Sequence, residues 1–534
     1  MSQTDIDNDK ADGSPASGPL DLGRRRFALG AVAATAVTFI GPGCRPAPAA
    51  QPSLPPMRIG INIGALNYWT ANYLYADLAR QAGPLRYIGT DGGFHDLEED
   101  KVDARGWPLP APAGTRFVLS AIGGVTKAPP GPYRCRISKG FDLKTYVDAT
   151  SSGGGQSFTI TPKPDAKVIN LVVEPRSASA RLDEFTCMIA TTPVNAKAGD
   201  VEVALNSTML DDLKPFPVLR FMDLMRVNNA PRRTWANRTL PDAFTQAGPG
   251  GMAIEHLVAL ANVSGADPWF TLPYDSDDDY YRRFAELVKK TLDPSRTIYL
   301  ELSNEVWNSM FEQSEQAARE GMERNLATQL WQAADRRYAQ KAVGLFQIWM
   351  KVFADQPHRI VRVLGSQAAN AQRTEDILSQ PNIAGNVDAV AIAPYFGGGL
   401  GPQDFVAAPG SDRFLDELFA RGRSYVDTAI TWGIQQKAVA SRHGVRLITY
   451  EGGQHFFANA PLEAPFMAAN QDPRMGELYT YYLGEWQRNV GDLLVLYLAT
   501  GTNVFGMRSY TGQPLSDAPK MKATLDFIKA NALR

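Results

Sequence analysis

The sequence has 534 residues, of which 44% are hydrophobic, so it can bury a core larger than that of one ordinary domain. Its 54 basic and 56 acidic residues nearly cancel, which leaves a formal charge of −2 at pH 7. Such a balance gives no reason to expect a nucleic acid or an anionic surface as partner.

Residues 1–56 precede the predicted fold. Arginines at 24–26 stand before an apolar run, 27–40, that is too short to span a bilayer. Paired arginines before such a run are typical of a twin-arginine export signal. Cys44 is a candidate site for a lipid anchor, although the residues before it match a lipobox poorly. A Pro/Ala-rich linker follows, and we expect an exported protein of the periplasm, the cell envelope or the surrounding medium.

Residues 57–83 predict a first βα unit. A strand over 58–64 leads through Tyr68 and Trp69 into a helical pattern over 72–83. Beyond this unit the periodicity changes, because helical spacing gives way to short alternating strands.

Residues 84–197 predict an inserted β-sandwich, since short strands alternate there with turns rich in Pro, Gly and Ser. Its role is either carbohydrate binding or packing on the barrel to shape the cleft. Cys135 and Cys187 both lie in this segment, and an oxidising compartment permits a disulfide between them, while two buried free thiols also fit. Strands are expected at 116–120, 133–137, 157–161 and 168–173.

Residues 198–534 return to a βα rhythm that completes the predicted barrel. Together with the first unit, the strands make eight that alternate with helices, which predicts an α/β fold, a (β/α)8 TIM barrel. An open doubly wound sheet is the alternative, but no Gly-rich phosphate turn follows the first strand. The strands are expected at 218–223, 268–273, 298–303, 359–364, 387–393, 446–450 and 504–507. The helices are expected at 253–261, 279–291, 313–354, 413–443 and 518–533.

Two of these strands deliver a glutamate into a loop. Glu305 follows the fourth strand, and Glu451 follows the seventh, directly before a glycine turn. A helix cap would explain one such acid but not a second in the same setting. Because the carboxyl ends of barrel strands surround the catalytic face, two strand-end glutamates predict a pair that flanks a glycosidic bond.

Asn304-Glu305 at one strand end and Glu451 at another resemble glycoside hydrolase clan A, the retaining (β/α)8-barrel glycosidases. The resemblance extends over about 370 residues in two blocks, with the rhythm of the barrel. The stretches 219–223, 266–269 and 302–308 also resemble a little-characterised group of exported bacterial proteins labelled cellulose-binding, a label that says little about the substrate.

The resemblance implies a role for each matching residue. Glu305 would be the general acid/base and Glu451 the nucleophile, while Asn304 would hold the sugar hydroxyl beside the reacting carbon. Arg220 would hydrogen-bond Glu451 and keep it ionised, the alternative being an ion pair with Asp223. Tyr395 occupies the position where clan members place an aromatic donor near the nucleophile.

The sequence departs from the best-known pattern of the clan in two places. No tryptophan ends the predicted eighth strand, where residues 507–510 stand instead, and no histidine lies near Tyr395 on the sixth strand. These departures concern the shape of the sugar subsites more than the type of reaction.

Aromatic side chains near the predicted strand ends favour a carbohydrate cleft as a group, although each alone is more often a packing residue. His455 is a further candidate contact for substrate. Residues 275–279 are rich in aspartate, but they precede a helix and match a helix cap better than a calcium site, so no metal or cofactor is expected. The aromatic candidates are Tyr68, Trp69, Trp235, Tyr274, Trp307, Phe396 and Phe456.

The sequence therefore predicts an exported, monomeric retaining glycoside hydrolase that acts on a poly- or oligosaccharide. The alternative is a non-catalytic polysaccharide-binding protein that keeps the glycosidase barrel without turnover. The sugar, its linkage and the choice between endo and exo action depend on loop shapes that the sequence does not give.

Overall fold

A computed structural model describes residues 56–125 and 127–531. The arginines at 24–26, the apolar run that follows them and Cys44 lie outside the described residues. Within the described ranges, no helix is both long and apolar enough to cross a bilayer.

A sheet of eight parallel strands forms the centre of the molecule, and the predicted (β/α)8 barrel is confirmed. Each strand from the first to the sixth pairs with the next, and the eighth pairs with the first. The seventh and eighth strands meet through the Thr449 hydroxyl, which accepts a 2.7 Å hydrogen bond from the Val495 backbone N–H. The barrel is therefore nearly closed. Its strands are Met57–Asn62, Val218–Arg220, Asp267–Leu272, Ile298–Leu302, Ile360–Gly365, Ala389–Ile392, Arg446–Thr449 and Asp492–Leu496.

Both faces of these strands are buried, as parallel strands covered by helices require. The interior is filled by large side chains from several strands, among them Trp269, Tyr299 and Tyr450. The outer face packs on the helices in one continuous apolar core. The helices of the described chain are Ser207–Leu213, Ile254–Ser264, Asp278–Thr291, Glu312–Glu323, Leu330–Val352, Ala371–Leu378, Asp412–Ala420, Gly422–Arg442, Glu463–Gln471, Pro473–Asn489 and Pro519–Ala530.

The eighth strand is not where the sequence analysis placed it. It is Asp492–Leu496, whereas residues 504–507 lie in a loop that folds back on the strand end. In that loop the Met507 N–H donates to the Leu498 carbonyl at 2.8 Å. The uninterrupted apolar run in 493–496 is the stronger signal for a strand buried on both faces, and the prediction of 504–507 was wrong.

The helix predicted over 72–83 is also wrong, since only a short 3-10 turn, Leu78–Gln81, forms there. The backbone before it is extended and bridges antiparallel neighbours, with Tyr75 opposite Leu205. The Asp77 carboxylate accepts the backbone N–H groups of Ala79 and Cys187, which fixes this conformation. The extra sheets thus follow the first strand directly, at the carboxyl end of the barrel.

Two antiparallel sheets make up the inserted segment, and they enclose a hydrophobic core of their own. Cys135 and Cys187 face each other on paired strands and form a disulfide, which decides between the two alternatives. A hairpin, Pro193–Ala198 with Val201–Asn206, leads back to the barrel. In order across each sheet, the strands are Phe94–Asp96, Arg86–Ile88, Phe117–Gly123, Val168–Pro175 and Phe141–Val147 in one, and Phe185–Met188, Tyr133–Ile137, Ser157–Pro162 and Ala149–Gly154 in the other.

Phe244 should be a main contributor to the contact between barrel and inserted sheets. It lies in the loop after the second barrel strand, is buried in the inserted core, and packs edge-on against Trp107 at 5.0 Å between ring centroids. Phe244→Ala should lower the free energy of unfolding by about 3 kcal/mol through the cavity it leaves, measured by chemical denaturation. Phe94→Ala is the control, because Phe94 is 42% exposed on the inserted sheet. Equal losses in the two variants would contradict this assignment.

Candidate active site

Four strand ends meet at the carboxyl face of the barrel, as parallel barrel strands dictate. Asn62 ends the first strand and Arg220 ends the second. Glu305 follows the fourth strand and Glu451 follows the seventh. Polar side chains that are far apart in the sequence thus share one site.

Arg220 is the centre of this site, and its side chain is wholly buried. Its Nη1 donates to Glu451 Oε1 at 2.9 Å and to Asn62 Oδ1 at 3.2 Å. Its Nη2 donates to Asn304 Oδ1 at 2.8 Å and to Glu301 Oε2 at 2.9 Å. The guanidinium therefore fixes the orientation of four side chains at once.

The ion pairs of Arg220 are with Glu301 and Glu451, within the part of the chain described, and not with Asp223. Glu301 also accepts hydrogen bonds from Trp269 Nε1 at 2.8 Å and from the Thr271 hydroxyl at 3.3 Å. Sequence reasoning missed Glu301. The sequence did hold a signal for it. Glu301 lies two residues after Tyr299 on the same face of the strand, and that face points into the barrel interior.

Glu451 accepts a second hydrogen bond, from the Tyr395 hydroxyl to Oε2 at 2.9 Å. Local pairing explains why the two residues meet. The short strand Tyr395–Phe396 pairs in parallel with Gly453–Gln454, which places Tyr395 beside the residues that follow Glu451. One carboxylate oxygen thus faces a cation and the other a phenol.

Glu305 receives hydrogen bonds from neutral donors. The Tyr450 hydroxyl donates to Oε1 at 2.9 Å and Asn308 Nδ2 donates to Oε2 at 2.9 Å. Trp307 lies behind them, with its Nε1 donating to the Tyr450 hydroxyl at 3.3 Å. Ser303 and Glu305 have left-handed backbone φ angles of 56° and 43°, a strain of about 1–3 kcal/mol each that is typical of functional sites.

Burial raises the pKa of both glutamates. At Glu451 the Arg220 charge opposes the rise, while the charges of Glu305 and Asp223 add to it. At Glu305 the opposing contributions come from the hydrogen bonds of Asn308 and Tyr450 and from the Arg220 charge. Two buried carboxyls that repel each other hold one proton between them over a wide pH range. Because the cation contacts Glu451 directly, the negative charge is favoured there and the proton on Glu305.

Tyr274 is not a surface for stacking a sugar, contrary to the sequence-based expectation. It is only 2% exposed, its hydroxyl donates to Glu320 at 3.4 Å, and the Lys341 amine lies 4.1 Å from its ring centroid. Phe456 is likewise in the core, at 1% exposed. Trp69 is 51% exposed in the loop after the first strand, where it packs edge-on against Tyr68.

His455 lies beside Tyr395, with 5.3 Å between ring centroids. The loop after the seventh strand therefore places His455 against Tyr395, although the two residues are far apart in the sequence. Burial lowers the pKa of this imidazole, which favours the neutral form. Phe457 was missed by the sequence analysis; it is 53% exposed and stacks on Phe505 at 6.0 Å.

Tyr497 follows the true eighth strand and takes the place assigned to residues 507–510. Its hydroxyl donates to Asp223 Oδ2 at 3.0 Å. Arg508, by contrast, forms an ion pair with Asp212 at 3.1 Å. Because the eighth strand was predicted at 504–507, the sequence analysis did not recognise Tyr497 as a residue at a strand end.

Comparison by sequence gives no match to a protein-family model and none to a curated protein. Among solved structures, an α-L-arabinofuranosidase from Thermotoga maritima, in complex with arabinose, is similar at 16% identity and a TM-score of 0.36. The match covers 60% of this chain and 63% of the arabinofuranosidase, so it spans less than two thirds of that enzyme.

Two further structures are glycoside hydrolases. The N-terminal endo-1,4-β-D-xylanase 10B of Clostridium thermocellum, with CBM22-1 and GH10 modules, matches at 11% identity over 86% of this chain and 96% of its own, with a TM-score of 0.35. A family 26 endo-β-1,4-mannanase from Cellulomonas fimi matches at 13% identity over 58% and 62%, with a TM-score of 0.29. Similarity at this level transfers neither a reaction nor a substrate to this chain.

Glu305→Gln should stabilise the protein at alkaline pH. Because burial raises the pKa of Glu305, the folded state holds the proton more tightly than the unfolded chain does. The stability from this group is therefore full at low pH and is lost as the pH rises through the folded-state pKa. A neutral side chain avoids that loss. The midpoint of thermal unfolding should rise by a few degrees near pH 8 and match that of the wild type near pH 4.

Glu375→Gln is the control with the opposite sign. Hydrogen bonds from Arg442 and His443 lower the pKa of Glu375 to about 2. Removing this carboxylate should lower the unfolding midpoint near pH 8, and the difference should vanish as the pH falls through the folded-state pKa. A midpoint of Glu305→Gln at or below the wild-type value near pH 8 would contradict the raised pKa.

Proposed function

We propose that this protein is a retaining glycoside hydrolase that cleaves a poly- or oligosaccharide. The observation that carries the proposal is the unequal environment of two strand-end carboxyls. Arg220 contacts Glu451, whereas Glu305 receives hydrogen bonds from Tyr450 and Asn308. A charged nucleophile beside a protonated acid is the arrangement that retaining glycoside hydrolysis needs.

In the first step, Glu451 attacks the anomeric carbon and forms a glycosyl ester. Glu305 gives its proton to the glycosidic oxygen as the bond from that oxygen to the anomeric carbon breaks. In the second step, Glu305 takes a proton from water, whose oxygen attacks the same carbon and releases Glu451. Two inversions leave the anomeric configuration unchanged.

The surrounding residues position these groups. The Asn304 carbonyl oxygen is held by Arg220, and its Nδ2 donates to Asn228 at 3.3 Å, so the second N–H of Nδ2 is left to donate to the sugar hydroxyl beside the reacting carbon. Tyr395 orients Glu451 through its 2.9 Å hydrogen bond. The hydrogen bond from Asn304 to this sugar hydroxyl strengthens as positive charge develops on the sugar ring.

Aromatic rings near the two glutamates support a carbohydrate as ligand. Trp307 donates to the Tyr450 hydroxyl, which holds Glu305, and the exposed Phe457 stacks on Phe505. His455 and Trp69 are further candidate contacts. Aromatic faces with nearby polar groups suit the mixed apolar and hydroxylated faces of a pyranose ring.

We also propose that the protein is exported and acts in the periplasm, the cell envelope or the medium. The disulfide between Cys135 and Cys187 supports an oxidising compartment. Arg24→Lys with Arg25→Lys should leave the precursor in the cytoplasm, measured by fractionation, whereas Arg45→Lys should be exported as the wild type is. Undiminished export of the double variant would contradict a twin-arginine signal. If Cys44 carries a lipid, Cys44→Ala should move the exported protein from the membrane to the soluble fraction.

The two glutamates should differ in how their loss changes turnover. Glu451→Ala should lower kcat on every glycoside by about 10⁴-fold or more, because no glycosyl ester can form. Glu305→Ala should lower turnover of substrates with poor leaving groups by about 10²- to 10⁴-fold and spare the first step with 4-nitrophenyl glycosides. Azide should then accelerate Glu305→Ala and give a glycosyl azide with the substrate's anomeric configuration.

Three results decide among the alternatives. An inverted azide product, or azide rescue of Glu451→Ala, would mean that the two roles are exchanged. Wild-type turnover in both variants, with surface variant Glu375→Ala as the control, would remove the site. A wild-type protein that binds a glycan without cleaving any would favour a non-catalytic polysaccharide-binding protein.

A further inference from the structure

The carboxyl of Asp223 also lies near the site and has no part in the two chemical steps. It follows the second barrel strand, three residues after Arg220. Its only side-chain hydrogen bond, within the described residues, comes from the Tyr497 hydroxyl to Oδ2. Burial raises its pKa, against the hydrogen bond from Tyr497 and the charges of two nearby arginines. Within the described residues, Oδ1 has no protein donor.

Asp223 lies near the nucleophile. Its charge raises the pKa of Glu451, which requires the two groups to be close. Tyr395, which donates to Glu451, and Tyr497, which donates to Asp223, both contact the ring of Phe505, at 6.0 and 5.7 Å between centroids. The two carboxyl–tyrosine pairs are therefore neighbours.

The formal charge of these groups is negative. With the proton on Glu305, three carboxylates, those of Glu301, Glu451 and Asp223, stand against the guanidinium groups of Arg220 and Arg226. Arg220 is engaged by Glu301 and Glu451. The Nη2 of Arg226 donates to the Leu66 carbonyl at 2.7 Å and to Asn67 Oδ1 at 2.6 Å. An anionic ligand at this position would therefore meet three carboxylates and two arginines that already have partners.

We propose that Asp223 accepts hydrogen bonds from hydroxyls of the sugar unit attacked by Glu451, and that it selects neutral sugars over uronic acids. This inference rests on the proposed glycoside hydrolase function. A carboxylate accepts hydrogen bonds and donates none, so it pairs well with vicinal sugar hydroxyls, which can donate to it. A uronate would bring a like charge beside the Asp223 and Glu451 carboxylates, and this repulsion would disfavour its binding.

The test uses 4-nitrophenyl glycosides of neutral hexoses and pentoses together with the corresponding uronides. The wild type should prefer a neutral glycoside, and Asp223→Asn should lower kcat/KM on it by about 10- to 100-fold, the value of a hydrogen bond to a charged group. Removing the contacted hydroxyl from the substrate should lower wild-type kcat/KM by a similar factor and leave Asp223→Asn nearly unchanged. If Asp223 had a purely structural role, the loss in kcat/KM of Asp223→Asn would not depend on the presence of one substrate hydroxyl.

Tyr497→Phe is the matched control, because it removes the hydrogen bond to Oδ2 and keeps the Asp223 charge. It should retain the preference for neutral glycosides and the dependence on the hydroxyl. Asp223→Asn should also move the acidic limb of the kcat/KM profile to lower pH, since a negative neighbour of Glu451 is removed.

Each outcome decides. A wild type that prefers uronides, or an Asp223→Asn variant that loses equally on the parent and deoxy substrates, would overturn the role of Asp223 while leaving the hydrolase function intact. No turnover of any glycoside by the wild type would overturn both. If Asp223→Asn does not fold, the wild-type preference between neutral glycosides and uronides still tests the selectivity, because that comparison needs no variant.

Discussion

The buried guanidinium of Arg220 is the interaction on which the site depends. Removing such a cation from water costs several kcal/mol unless anions and acceptors surround it. Glu301 and Glu451 provide the anions, and the rings of Trp269 and Tyr450 lie 5.6 and 5.0 Å from the guanidinium carbon. Loss of any one partner would leave charge uncompensated in the barrel. Glu301, which is itself buried, therefore helps to hold in place the guanidinium that contacts Glu451.

The barrel could be predicted because its strands are short apolar runs and its acids stand where those runs end. The strand before Glu305 was predicted as 298–303 and is Ile298–Leu302 in the structure. The prediction of the eighth strand was wrong because the run at 504–507, which Gly506 interrupts, was taken for it, whereas the uninterrupted run at 493–496 forms the strand. The helix over 72–83 failed because tertiary pairing overrode a helical pattern, as tertiary context often does.

The site was predictable only in part. Residues at strand ends, such as Glu305 and Glu451, follow from topology, since a barrel gathers the carboxyl ends of its strands. Which aromatic ring faces the cleft does not follow, because adjacent residues point in different directions. Phe456 is buried and Phe457 is exposed, and no sequence pattern distinguishes them. Glu301 lies within a strand, and its importance appears only once Arg220 is seen to fill the space beside it.

The seam between the seventh and eighth strands has a consequence for motion. There the barrel is joined mainly by side chains, through the Thr449 hydroxyl and through Asn62 Nδ2, which donates to the Tyr450 and Leu496 carbonyls at 2.9 and 3.2 Å. Just beyond the strands, the Tyr497 N–H donates to the Gly452 carbonyl at 3.0 Å. Side-chain links hold strands less cooperatively than a continuous ladder does, so amide hydrogen exchange should be fastest along this line of the barrel. Glu451 follows the seventh strand, so the barrel can open locally beside it without breaking a ladder of backbone hydrogen bonds.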